Sequence, residues 1–167
     1  MRQAVCRTHG QIDVVTAEPP RLEPGDLLVR LRLCGVCGTD LMKVYDPTVA
    51  KPVQIGHEVV GEVVAAGAAA DSAWIGRRVT LGHHVPDYSS HYARLGTDPM
   101  DAVFKRNNIA PGGFAAYIRV PAVDVQLTLQ GFPDAMPDKR AVFVDRMACC
   151  LLGLDLSPVM EGERVLV

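Results

Sequence analysis

The 167-residue chain carries 17 Lys and Arg against 19 Asp and Glu, a net charge of −2, so no basic excess draws it to nucleic acid or to an anionic membrane surface. Its residues are 49% hydrophobic but only 5% aromatic, with 15 Gly and 12 Pro, which fits a turn-rich β structure better than a helical bundle. No signal-peptide core opens the chain and no apolar run reaches the ~20 residues needed to cross a bilayer, while the odd count of 5 cysteines predicts reduced thiols or metal ligands in a cytoplasmic protein.

Pro19-Pro20 and Glu23-Pro24-Gly25-Asp26 carry turn chemistry. Leu27, Val29, Leu31 and Leu33 then alternate with Arg30 and Arg32, which predicts a strand whose arginines lie on the solvated face. Cys34 to Asp40 is a Gly-rich loop, with Cys34 as a buried residue at the strand's end. A short helix is predicted over Asp40 to Val44, capped by Thr39 or Asp40. Ile55 to Ala66 is Val-rich and broken by Gly56 and Gly61, the pattern of a strand with bends at its glycines. Trp74 reads as a local packing anchor, and Gly76 to Leu81 predicts another short strand. His83 to Pro111 is a polar excursion with little periodicity, and a loop this long is functional, disordered or held by a ligand. Within it Lys105, Arg106, Asn107 and Asn108 read as a solvated stretch before they read as a partner or substrate contact. Phe114 to Val120 resumes strand character. Between Pro137 and Pro158 a helix is predicted with Ala141, Val144, Met147, Ala148 and Leu151 on one face. That placement makes Cys149 and Cys150 core thiols, as Cys6 is. Glu161 to Arg164 is a turn into the apolar Val165-Leu166-Val167.

Cys37, His57 and Glu58 together supply a thiolate, an imidazole and a carboxylate. Zinc takes those donors in a tetrahedron, and a catalytic site keeps one position open. Singly, each residue is more often a packed or solvated side chain. Adjacent strand residues point to opposite faces, so His57 and Glu58 reach one metal only if the backbone twists there, which Gly56 permits.

The segments Cys34-Gly35-Val36-Cys37-Gly38-Thr39-Asp40, Gly56-His57-Glu58, Gly112-Gly113-Phe114 through Pro121, and Gly162 through Val167 occur in order along the whole chain. In that arrangement the sequence resembles the zinc-dependent medium-chain alcohol and polyol dehydrogenases, closest in flavour to the sorbitol and threonine branch. The resemblance implies a mainly β, GroES-like barrel with short helices over residues 1–150. It also implies a linker helix and the first strand of a Rossmann domain over residues 151–167. It assigns Cys37, His57 and Glu58 to one catalytic zinc, Asp40 to orienting the histidine ligand, and Thr39 to taking the proton of an alcohol. A further metal carboxylate is expected from the segment Val144-Asp145-Arg146-Met147-Ala148, where Asp145 stands one methylene shorter than the family's glutamate. Met42 stands where many members carry a relaying histidine, so an onward proton path uses water or cofactor hydroxyls. The expected reaction is reversible oxidation of a secondary alcohol, polyol or sugar hydroxyl, with hydride passing to NAD or NADP.

The family's second, structural zinc uses four cysteines whose spacing falls here on Asp87, Ser90, Ala93 and Asp101, so no structural zinc and a mobile lobe are expected. A substitute site built from His91 with Asp87 or Asp101 ranks below exposed loop residues, as do His83 and His84. The Gly-rich dinucleotide fingerprint is missing, so NAD or NADP binding, and activity, are expected only with a cofactor half. A fragment is the favoured explanation, ahead of a split enzyme docking a separate Rossmann chain or a relic, and uncovered apolar surface is expected to promote self-association. Two rivals stand: a non-catalytic zinc-binding or scaffold module, and thiol redox chemistry at Cys34 and Cys37. Redox motifs of that form use a strand-to-helix junction of a βαβ fold, whereas the surroundings of Cys37 are expected to be strands.

Overall fold

A computed structural model describes residues 1–86, 88–102, 104 and 109–166. Strand β1 (Arg2–Thr8) pairs antiparallel with β2 (Gln11–Thr16) as a separate hairpin. The main sheet is built on β3 (Leu27–Gly35) and β4 (Glu58–Ala66), antiparallel, with Leu27 opposite Ala66 and Gly35 opposite Glu58. Strands β5 (Arg78–Thr80), β6 (Tyr117–Val120) and β7 (Gln130–Gly131) complete it in the order β6-β3-β4-β5-β7.

The alternation in β3 does what a period of two predicts at its first half: Leu27 and Val29 are buried while Arg30 is exposed. They join Val59, Val63, Val79, Ile118 and Val120 in one apolar cluster, against which the half-buried Trp74 packs. Cys6 is fully buried in a second cluster with Val44 and Ile55. Cys34, near the end of β3, is half-buried.

The structure is mostly β with short helices. The barrel is not closed: among the described residues the ladders form an open five-stranded sheet and the hairpin, joined by single bridges at Gln3 to Ala115 and Cys6 to Val53. Edge strands as short as β6 and β7 offer few groups with which to close a ring. Several strands also begin later than their apolar patterns. β4 starts at Glu58 and not Ile55, because Gly56 has a positive φ of 83° and turns the chain before the ladder begins. Helix α1 runs over Gly38–Tyr45 and is capped by Cys37 rather than Thr39 or Asp40.

Within the polar excursion, α2 (His91–Arg94) is capped by Ser90, whose hydroxyl accepts the Ala93 N–H at 3.1 Å. Two positions of the lost cysteine pattern thus serve a helix start. His91 is exposed and Asp101 buried; Asp87 and Lys105, Arg106, Asn107 and Asn108 lie outside the described residues. A short α3 (Ala122–Leu127) follows β6. The predicted C-terminal helix is two helices, α4 (Asp138–Ala141) and α5 (Val144–Leu156), and α5 runs across the boundary expected at residue 150. Its shared face is not buried. Ala141 is enclosed, but Val144, Met147 and Leu151 are exposed, as are Cys149 and Cys150. Residues 163–166 form no strand, and Val167 is outside the described residues. No helix among the described residues is long and apolar enough to cross a membrane.

Candidate metal centre

The site forms where β3 ends, α1 begins and β4 begins. Cys37 sits in extended backbone (φ −97°, ψ 154°) as the N-cap of α1. Asp40, three residues into that helix, turns back: its Oδ2 accepts the Cys37 N–H at 3.0 Å and its Oδ1 accepts the Gly56 N–H at 2.8 Å. One carboxylate therefore ties the Cys37 loop to the turn that delivers His57. The same Oδ1 lies 3.3 Å from Nδ1 of His57, close enough to act on its charge but too oblique for a well-formed hydrogen bond. On the other side of the ring, Nε2 lies 3.3 Å from the Thr39 hydroxyl.

His57 and Glu58 do reach one place. A donor atom of each, and of Cys37, lie within 4.8 Å of one another, with His57 and Glu58 buried and Cys37 half-buried. The twist that brings neighbours in sequence together sits at Gly56, where a Cβ would meet the Phe114 amide nitrogen at 2.6 Å. His57 stands before the first residue of β4, so strand alternation does not separate the two side chains.

Electrostatics suit a cation. Thr39 hydrogen bonding lowers the Cys37 thiol toward the thiolate, and His57 adds to this. Burial pulls hardest on Asp40, but His57 and the Gly56 and Cys37 amides together outweigh it and hold the carboxyl below its ordinary range. The Asp40 carboxylate raises His57 against the opposing effect of burial. Cys34 differs from Cys37: burial, then Asp40 and Glu58, push its thiol up to about 12, so it stays protonated and packs against Gly113. A thiolate, an imidazole and a buried carboxylate fit a zinc ion by donor type and spacing.

A cavity of about 520 Å³ opens over Cys37 and His57. Asp145, in the first turn of α5, lines it but does not belong to the tight donor cluster; burial raises its carboxyl. Met42 lines the cavity with an exposed side chain. Four more residues surround the site: the sequence reads His83 and His84 as exposed loop residues and does not mark Phe104 or Arg146. His83 is half-buried with its ring 4.6 Å from that of His57, His84 stacks at 4.0 Å on His83, and Phe104 at 5.2 Å on His84. Burial and the neighbouring His84, His57 and Lys43 hold His83 down to about 3, so it is neutral. Arg146 is the fourth, with Nε 2.7 Å from Glu58 Oε1. His91 and Asp101 are not brought into any second cluster of three or more such donors among the described residues.

Residues 23–129 match the alcohol dehydrogenase GroES-like domain family. Among curated proteins, the chain is 31% identical to an L-threonine 3-dehydrogenase from Aeromonas hydrophila subsp. hydrophila, covering 99% of this chain and 49% of that protein. It is 30% identical to D-arabinitol dehydrogenase 1 from Uromyces fabae, over 92% of this chain and 43% of that one. A solved structure from Sinorhizobium meliloti 1021, assigned as a zinc-binding dehydrogenase and bound to NADP, superposes with a TM-score of 0.81 at 29% identity, covering 96% of this chain and 46% of that one. The chain thus spans about half the length of the relatives it matches. With its fold, its donor cluster and these likenesses aligned, the chain belongs to the zinc-type medium-chain alcohol and polyol dehydrogenases, as their GroES-like N-terminal domain.

Proposed function

We propose that this chain is the zinc-holding catalytic portion of an NAD- or NADP-dependent oxidoreductase that converts a secondary alcohol, polyol or sugar hydroxyl to a carbonyl. The observation that carries the reading is the convergence of Cys37, His57 and Glu58 within 4.8 Å beside the Thr39 hydroxyl. A structural zinc site has its four positions filled by protein; a cavity lined by Cys37, Thr39 and His57 supports a site open to substrate instead.

Bound zinc supplies Lewis-acid polarisation of an alcohol oxygen, and a nicotinamide supplies the hydride acceptor. Cys37 and His57 hold the metal, with Glu58 and Asp145 as the carboxylates available to it. Asp40 fixes the ring of His57 by facing Nδ1, which leaves Nε2 for the metal. Thr39 Oγ1 lies beside Nε2 and takes the hydroxyl proton of a substrate seated there. From Thr39 the proton leaves through solvent, because Met42, on the same helix and lining the same cavity, has no group to carry it. Phe104 and the neutral His83 shield one side of the site from bulk water and give the pocket an apolar wall with ring N–H groups for substrate hydroxyls.

Elemental analysis of the chain purified without chelator or added metal tests this directly. About one zinc per chain is expected in the native sequence, and its loss in Cys37→Ser. Equal zinc in both would remove Cys37 from the site and sink the reading.

A further inference from the structure

We infer that Arg146 is a positioning residue that competes with the metal for the Glu58 carboxylate, holding that ligand in an exchangeable state. The inference rests on the metal-centre reading above. Glu58 is 3% exposed, and a buried carboxylate needs a counter-charge. Its neighbour across the ladder, Gly35, gives it room, since a Cβ there would collide with Glu58 Oε2. On the open side stands Arg146, whose Nε lies 2.7 Å from Oε1 while its Nη2 donates to the Val36 carbonyl at 2.9 Å. The guanidinium thus reaches from the first turn of α5 to the residue before Cys37 and meets the carboxylate on the way.

A guanidinium and a divalent cation on one small carboxylate repel each other, strongly where water is excluded. Full ligation by Glu58 therefore requires it to give up Arg146, and release from the metal returns it to a waiting partner. Asp145, adjacent in sequence, lines the cavity over Cys37 and His57, so one turn of helix delivers both a candidate ligand and the group that restrains another. Nothing in the local sequence pattern announces this pair, because its members are 88 positions apart, from 58 to 146.

The test is a zinc affinity measured on the full chain by competition with a chromophoric chelator. Arg146→Ala frees Glu58 and is expected to tighten zinc by about tenfold, the scale on which groups behind metal ligands act. Arg146→Gln, which keeps the side chain's length, moves in the same direction. In a Glu58→Gln background the same substitutions leave affinity unchanged. Weaker or unchanged zinc binding when Arg146 is substituted in the otherwise native chain overturns the proposal, as does an equal change in the native and Glu58→Gln chains, which would mean that Arg146 acts only by clamping α5 to the Val36 carbonyl. Native zinc affinity in Cys37→Ser is a separate result, and it would strike the metal-centre reading itself.

Discussion

Glu58 and Gly35 face each other across the β3–β4 ladder, and the carboxylate fills the space that a side chain at residue 35 would need. Gly35→Ala is expected to destabilise the chain by about 1–3 kcal/mol, the usual cost of an overpacked interior, and to lower zinc affinity by displacing Glu58. Urea unfolding and chelator competition measure the two effects; an unchanged midpoint and affinity would show that Glu58 is not confined there. At this scale the sequence was informative wherever chemistry is local. Cys37, Asp40, His57 and Glu58 stand in two short segments whose spacing is visible in one dimension, and the structure brings them together. His83 and Arg146 were not legible. Each takes its meaning from a residue remote in the chain, His57 or Glu58, and neither carries a local signature.

The arginines of β3 show how an element's solvated face acquires structure. Arg30 pairs with Glu62 at 2.9 Å, and Arg32 donates to Asp138 Oδ2 at 2.8 Å. Arg78 of β5 donates to the other oxygen of Asp138, also at 2.8 Å. One carboxylate at the start of α4 thereby pins that helix to two strands, and α4 leads directly into the helix bearing Asp145 and Arg146. Arg32 and Arg78 hold the Asp138 carboxyl below its ordinary range. Asp138→Ala is expected to cost about 1–3 kcal/mol, the value of charge-assisted hydrogen bonds at a partly enclosed site, seen as a lowered denaturation midpoint that 1 M salt partly mimics in the native chain. No drop in midpoint would mark the pairs as ornamental. Helical periodicity predicted a helix after Pro137 but misjudged its surroundings. Period reveals which residues share a face; it does not reveal whether anything covers that face. In α5 the apolar residues Met147, Leu151 and Leu154 are exposed, although the chain's pattern alone reads as core.

For the molecule as a whole, one buried group sets a pH dependence away from the metal centre. Asp124 in α3 is fully enclosed, neither carboxylate oxygen has a hydrogen-bond partner, and burial, with repulsion from Asp26, raises it from 3.8 to about 6. The folded chain thus holds this proton more tightly than the unfolded chain. The group's contribution is fully present below about pH 4 and is lost as the pH climbs through about 6. Asp124→Asn is expected to remove that slope and to stabilise the chain at neutral pH by up to about 3 kcal/mol. Parallel urea titrations at pH 4.5 and 7 measure it, and identical pH slopes in the two chains would show that Asp124 is not the source.

The pairing of Gly35 with Glu58 in the central ladder has a consequence for assembly. Two of the proposed metal donors, Cys37 and Glu58, lie just outside or at the start of neighbouring antiparallel strands, so their separation is fixed by strand alignment. A slip of one residue would send Glu58 to the opposite face of the sheet. A zinc ion drawing on the proposed donors Cys37, His57 and Glu58 would therefore distinguish aligned chains from misaligned ones, since the full donor set exists only in the former. The metal centre, in that sense, inspects the sheet that builds it.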